Sequence, residues 1–211
     1  MSATTPRSTA THLLYLHGFR SSPQSAKARQ MAERVAREHP GVTWWCPQLP
    51  PSPAAAMALV MDGIRNWPHD RAAVVGSSLG GFYARWIHAQ LGCRVALLNP
   101  AIQPARDLAK YIGEQTTWQN PEERFFFEPG FVAELQTQQD AITLPLQDAF
   151  ALIAMGDEVL DWREMVGGCV GAHIKLLPGG DHALSDFDQH LGEVLQFLQL
   201  EIVRKVPTVA D

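Results

Sequence analysis

The sequence predicts an α/β fold: a mainly parallel sheet of about six strands, with helices on both faces and a small helical insertion after the fourth strand. Three observations carry this. Short apolar runs recur along the chain without polar alternation, as strands buried on both faces require. Segments with helical apolar spacing separate most of these runs, which makes the connections crossovers onto one parallel sheet. One interval, about fifty residues between Pro100 and Phe150, is far longer than the dozen or so that a crossover needs, so it reads as an insertion.

The elements follow in order. The first strand is His12 to His17, an apolar run. Ser22 then offers an N-cap and Pro23 a first helical residue, with Ala26, Met31, Ala32 and Val35 on one face of a helix ending near His39. Val42 to Cys46 is the second strand. A proline-rich loop from Pro47 to Pro53 leads to a second cap, Ser52 before Pro53, and to Met57, Val60, Met61 and Ile64 at helical spacing. That helix must stop before Pro68. Ala72 to Val75 is the third strand, followed after a glycine-rich turn by a helix starting at Phe82 and ending near Gly92. Arg94 to Leu98 is the fourth strand. Within residues 101–147, one helix is expected over roughly Ala105 to Gly113 and another over roughly Gly130 to Gln139. Phe150 to Ala154 and His173 to Leu177 are the last strands. Leu184, Phe187, Leu191, Val194, Leu195 and Leu198 mark a closing amphipathic helix.

Composition narrows the function. A chain of 211 residues with 46% apolar and 18% charged residues fits one globular domain. A net charge of −5 gives no support for nucleic-acid binding. No stretch approaches the ~18 apolar residues of a spanning helix, so no stable membrane insertion is expected. Residues 1–11 and Val206 to Asp211 read as flexible tails, and the N-terminus lacks the apolar core of a secretory signal. Cys46, Cys93 and Cys169 are far apart and lack the spacing of a zinc site. They read as reduced cysteines of a cytoplasmic protein.

The glycine-rich turn is Gly76-Ser77-Ser78-Leu79-Gly80-Gly81. A G-x-S-x-G pattern between a strand and a helix resembles the nucleophile elbow of α/β-hydrolases. Side chains at Gly76 and Gly80 would collide with the adjoining strand and helix. Ser78 Oγ would stand clear of the sheet at a helix N-terminus, where backbone N–H groups favour negative charge. The competing reading is a Gly/Ser turn with no chemistry.

A serine hydroxyl needs a base. Among eight histidines, His182 follows the last strand in Pro178-Gly179-Gly180-Asp181-His182, where two glycines let the loop fold back over the strand ends. His17 lies at the same edge but reads as a structural residue of the first loop. The base needs a carboxylate to hold it. Asp157 directly follows the strand-end Gly156, and Asp161 and Glu158 are its competitors. An oxyanion hole needs two N–H donors; Leu79 follows the serine, and Phe19 lies in the loop after the first strand. Ser78, Asp157 and His182 each fall at the carboxyl end of a strand, where sheets of this kind build their sites.

Tyr15-Leu16-His17-Gly18-Phe19-Arg20-Ser21-Ser22-Pro23, the hexapeptide, Asn99-Pro100-Ala101, Gly156-Asp157-Glu158-Val159-Leu160-Asp161 and Gly179-Gly180-Asp181-His182 together resemble the YqiA-like small esterase family of α/β-hydrolases. The resemblance runs from about Leu13 to the closing helix. It implies an esterase or thioesterase acting on small acyl esters or thioesters without metal or organic cofactor. It places the nucleophile on Ser78, the acid on Asp157 and the base on His182. The insertion holds Trp118, Glu122, Glu123 and Phe125-Phe126-Phe127. Trp118 and Phe126 are candidates for lining an acyl pocket, or else for the insertion's own core. Arg20 is a candidate contact for a substrate carboxylate or phosphate, or else a partner for a surface acid.

Overall fold

The computed structural model describes residues 8–202. Six strands form one parallel sheet: β1 (His12–Leu16), β2 (Thr43–Trp45), β3 (Ala72–Ser77), β4 (Arg94–Leu98), β7 (Ala149–Ala154) and β8 (His173–Leu177). Their spatial order is β2-β1-β3-β4-β7-β8, and every pairing is parallel. The order reverses direction between β1 and β3, and such a switch point opens a crevice at the carboxyl ends of the strands.

Why these runs are strands is visible in their burial. Every residue of β3, β4 and β7 is buried. Side chains alternate between two cores. Leu14, Leu16, Val74, Val95, Leu97, Ala151 and Ile153 face one. Leu13, Tyr15, Ala73, Val75, Ala96, Leu98, Phe150 and Leu152 face the other. The first core is closed by helices α2 (Pro53–Ile64), α3 (Leu79–Leu91) and α6 (Trp162–Gly168); the second by α1 (Ala26–Glu38) and α7 (Phe187–Leu198). Both faces are apolar, so no polar alternation survives in the sequence.

Helix starts follow local chemistry. Ser52 caps α2, its Oγ accepting from Ala55 N–H at 3.1 Å, with Pro53 as first helical residue. The signal at Ser22 does something else. Its Oγ accepts from Gln24 N–H at 3.1 Å in a turn, and α1 starts three residues later than expected, behind Ser25. The helix after β3 starts earlier than expected, at Leu79, because the turn between them is a single residue, Ser78.

The insertion contains the two expected helices, now α4 (Pro104–Leu108) and α5 (Pro129–Asp140). Between them lies an antiparallel hairpin, β5 (Gly113–Thr116) and β6 (Arg124–Phe127), which the sequence reading did not foresee. The expected helix from Ala105 to Gly113 is cut short: a 3-10 turn over 109–111 ends it, and Gly113 at φ 125° opens β5. Of the expected tails, residues 1–7 and Val206 to Asp211 lie outside the described residues. Ala10 is not frayed; it is buried and bridges to Leu200.

Candidate active site

Ser78 sits between β3 and α3 at φ 57°, ψ −120°, a conformation that L-residues rarely adopt and that persists only when the surroundings impose it. The surroundings do so. Ser78 N–H donates to Leu98 O at 3.0 Å, and its carbonyl accepts from Gly81 and Ala101 N–H at 2.9 and 3.0 Å. A Cβ on Gly76 would lie 2.0 Å from Gly80 O, and one on Gly80 would lie 2.0 Å from Leu16 O. Only glycine permits β1, β3 and α3 to meet so closely, as the hexapeptide led us to expect.

The turn aims Ser78 Oγ at His182, whose Nε2 lies 3.0 Å away. His182 Nδ1 lies 2.7 Å from Asp157 Oδ2. The Asp157 side chain is fully buried, and its other oxygen accepts from Val159 and Leu160 N–H, each at 2.8 Å. Three donors thus hold one carboxylate and fix its direction. A carboxylate can only accept here, so the proton between Asp157 and His182 sits on Nδ1. That leaves Nε2 unprotonated and able to accept from the serine hydroxyl. Asp161 is elsewhere: it caps α6, its Oδ1 accepting from Arg163 N–H at 2.9 Å. Glu158, also considered for the acid, accepts from the backbone N–H of His182 at 3.0 Å and steadies the loop.

That loop folds back as its glycines allow. Gly179 and Gly180 have φ of 86° and 76°, and Gly156 N–H donates to Gly179 O at 2.9 Å. Asn99 ties the ends together. Its Nδ2 donates to Asp181 O at 3.0 Å and His182 O at 3.3 Å, while its Oδ1 accepts from Ala154 N–H at 2.8 Å. Fully buried and at φ 42°, Asn99 links the end of β4, the end of β7 and the histidine loop. Sequence reasoning gave it no role. Its available signal was an Asn-Pro step at a strand end, since asparagine tolerates left-handed backbone and carries both donor and acceptor.

On the other side of Ser78, Gly18 approaches so closely that an added Cβ would stand 3.2 Å from Ser78 Cβ. Phe19 follows it. Neither Phe19 N–H nor Leu79 N–H bonds to another described residue, and both residues line a cavity with Ser78 and His182. His17 holds this loop as expected. Its Nε2 accepts from Leu49 N–H at 3.1 Å, so its proton is on Nδ1, which donates to Gly18 O at 3.0 Å. Burial lowers the His17 pKa and keeps the ring neutral.

Three cavities adjoin Ser78 or the Phe19 and Leu79 residues beside it. The largest, about 560 Å³, lies under the hairpin between Phe19, Leu49, Tyr83 and Phe125 and does not reach Ser78. Two smaller ones do. One, about 270 Å³, is walled mainly by Phe19, Leu79, Pro104, Leu108, Tyr111 and Leu160. The other, about 250 Å³, opens between Ser21, Ser25, Lys27, Gln119 and Ala183. Trp118, 65% exposed, borders both. Phe126 borders none of the three: strand alternation turns it outward, 53% exposed, while Phe125 and Phe127 turn inward onto Phe19. Arg20 pairs with no acid among the described residues. Its Nε donates to Thr116 O at 2.6 Å, its Nη2 to Thr116 Oγ1 at 2.9 Å, and its guanidinium lies 4.1 Å from the Trp118 ring centre. It clamps the hairpin while edging the apolar cavity.

Comparisons agree with this architecture. Est1E from Butyrivibrio proteoclasticus, in a structure with ferulic acid bound, superposes with a TM-score of 0.67 at 14% identity, over 89% of each chain. A structure from LipS and LipT, two metagenome-derived lipolytic enzymes, gives 0.65 at 19% identity, over 90% of this chain and 94% of that one. Alpha/beta hydrolase domain-containing protein 10 from mouse gives 0.61 at 17% identity, over 94% and 92%. At such identities the likeness is one of fold, and the fold is that of the α/β-hydrolases. A family model matches residues 12–199, nearly everything from β1 to the end of α7. The chain therefore belongs to the uncharacterised protein family UPF0227, the YqiA-like family that its five motifs resemble.

Proposed function

We propose that this protein is a serine hydrolase of carboxylic esters or acyl thioesters, with Ser78 as nucleophile, His182 as base and Asp157 as the acid that orients it. The observation that carries the reading is the unbroken hydrogen-bonded line from Ser78 Oγ through His182 to a buried Asp157, at 3.0 and 2.7 Å. The strained φ of Ser78, retained at 57°, supports it too, because such strain gathers at reacting residues. That structures of lipolytic enzymes and of Est1E with ferulic acid share the fold is consistent with ester chemistry.

The geometry supports the following course of reaction. Ser78 Oγ forms a bond to the acyl carbon as its proton passes to His182 Nε2. Phe19 and Leu79 N–H groups donate to the oxyanion. The bond from carbon to the leaving oxygen or sulfur then breaks, and the proton on Nε2 goes to that atom. Water adds to the acyl-enzyme by the same route, giving up its proton to Nε2, which returns it to Ser78 as the acid departs. Asp157 stays ionised and stabilises the imidazolium throughout. Trp118 and Arg20 edge the acyl cavity. Asp161 keeps its cap and takes no part.

A fluorophosphonate probe tests this directly. Wild-type protein should become labelled at Ser78 and hydrolyse phenyl butyrate, and Ser78→Ala should do neither. An unlabelled wild type without activity on neutral esters or thioesters would sink the reading.

A further inference from the structure

The two cavities that meet at Ser78 differ in the polar groups they hold. The one toward α4 is walled mainly by apolar side chains, with Arg20, Asp107 and Lys110 among its lining. The one toward α1 holds Ser21, Ser25, Ser77, Gln119 and Lys27, and no carboxylate among the described residues lines it. Apart from the histidines, Lys27 is the sole ionisable cation among its lining residues. Lys27 is half-buried, and no carboxylate among the described residues comes within ion-pair distance of it. The nearby Asp181 carboxylate is taken by Ser185, accepting from its N–H at 2.9 Å and its hydroxyl at 2.6 Å. Asp157 is taken by His182, Val159 and Leu160. Lys27 Nζ donates to Ala183 O, the residue after His182. An ammonium has three N–H donors, so this bond leaves two for a ligand in the cavity.

We infer, on the basis of the hydrolase reading above, that the substrate is an ester carrying a carboxylate on one arm and an apolar group on the other, and that Lys27 binds the carboxylate while the α4-side cavity takes the apolar group. One ammonium with neutral hydroxyl and amide neighbours matches one negative charge. A phosphate dianion would call for a second cation, and Arg20 is committed to Thr116 and Trp118. The protein's net charge of −5 gives no general attraction for anions, so recognition must be local. Burial pushes the Lys27 ammonium down to about 8 against the pull of Asp181 and Asp157. Its charge, and with it the selectivity, should fade as pH rises through that value.

The test uses three matched substrates at pH 7: phenyl butyrate, monophenyl glutarate with the charge on the acyl arm, and 4-carboxyphenyl butyrate with the charge on the leaving group. Wild-type protein should prefer one of the two charged esters over phenyl butyrate by about tenfold or more in kcat/KM, the weight of a charge-assisted hydrogen bond. Lys27→Met should erase that ratio, Lys27→Arg should retain most of it, and Lys110→Met should leave the ratio in place. Ratios within one preparation do not depend on the folded fraction. The same ratio should decline between about pH 7 and pH 9; His17, His182, Asp157 and Asp181 are the other ionisable groups near Lys27, and comparison with phenyl butyrate at each pH cancels any effect common to both esters. No preference for either charged ester, a preference that survives Lys27→Met, or one lost in Lys110→Met would overturn the inference. Each of those outcomes is read against hydrolysis of phenyl butyrate by the wild-type protein, whereas failure of the hydrolase reading removes that activity from the wild type itself.

Discussion

The frame that holds Ser78 and the insertion that roofs it are built in different ways. In the frame, backbone meets backbone. Gly80 lies against the Leu16 carbonyl, Ser78 N–H bonds to Leu98 O, and Asn99 links β4, β7 and the histidine loop. In the insertion, side chains do most of the attaching. Arg20 grips Thr116, Ser52 Oγ and Ala54 N–H donate to Glu134 at 2.7 and 2.9 Å, and Phe19 packs on Tyr111, Phe125 and Phe127. The β3, β4 and β7 strands are wholly buried, whereas β5 has no buried residue and β6 has one. Backbone fits are all-or-none, while side-chain fits can be altered one at a time. The difference teaches where tolerance lies: the groups proposed to react are held by the sheet, and the roof over them is one that can be retuned.

Glycine substitutions break the comparison most sharply. Gly80→Ala puts a Cβ 2.0 Å from a main-chain oxygen in the buried frame. Neither partner is a flexible side chain, so the cost should exceed the roughly 1–3 kcal/mol of ordinary overpacking, lowering Tm by about 10 °C or preventing folding. Gly130→Ala, in α5 of the insertion, meets nothing within 4 Å and should raise stability by up to about 1 kcal/mol. Thermal unfolding of the two proteins side by side decides; equal effects would dissolve the contrast.

The carboxylates come next. Asp157→Asn should lower kcat by roughly 10⁴-fold, because an amide can donate to Nδ1 and hold the wrong tautomer. Asp161→Asn should leave activity within about twofold, since asparagine caps a helix about as well as aspartate. Steady-state assays on phenyl butyrate measure both. A larger loss at Asp161 would reverse the assignment.

The clamp should give a smaller effect. Arg20→Met removes two hydrogen bonds to Thr116 and the cation–π contact with Trp118, but leaves the backbone bond from Trp118 N–H to Arg20 O at 2.7 Å. Loss of about 1–2 kcal/mol is expected, a fall in Tm of about 2–6 °C. Substrate profiles should change more than labelling of Ser78 by a fluorophosphonate. Equal loss of both would mean that Arg20 supports the frame and not only the roof.

The same division explains what was legible in the sequence. Strands buried on both faces announce themselves as apolar runs, and the elbow announces itself through glycines that no other residue can replace. Ser78, Asp157 and His182 were therefore readable at strand ends, with Asp161 left open because sequence does not reveal which aspartate a turn commits to capping. The β5–β6 hairpin was not readable. Gly113-Glu114-Gln115-Thr116 is polar and half exposed, and Phe125-Phe126-Phe127 reads equally as helix core or strand. It is held against Phe19 and Arg20, about a hundred positions away in the chain, and contacts of that range leave no local periodicity. Lys27 and Asn99 were missed for the same reason. Each acts through a carbonyl brought close only by the fold.

The smallest effect belongs to His17, where frame and roof meet. Its neutral ring accepts from Leu49 N–H and donates to Gly18 O, so protonation of Nε2 must break the first bond. Burial lowers its pKa in the folded protein, so below about 6.5 the unfolded chain takes up a proton that the folded one resists. Stability is therefore present in full above that value and declines as pH falls toward the folded pKa. His12, at the opposite end of β1, is shifted the same way by burial and by Arg71, and contributes its own part of the slope. In His17→Gln the amide oxygen can accept from Leu49 and the amide nitrogen can donate to Gly18 without titrating. Denaturant unfolding of both proteins from pH 5 to pH 8 should therefore show a shallower acid decline for His17→Gln, with fluorophosphonate labelling of Ser78 retained at pH 7. An unchanged slope would show that the ring's protonation does not burden the Gly18-Phe19 loop, and that the frame extends through it undisturbed.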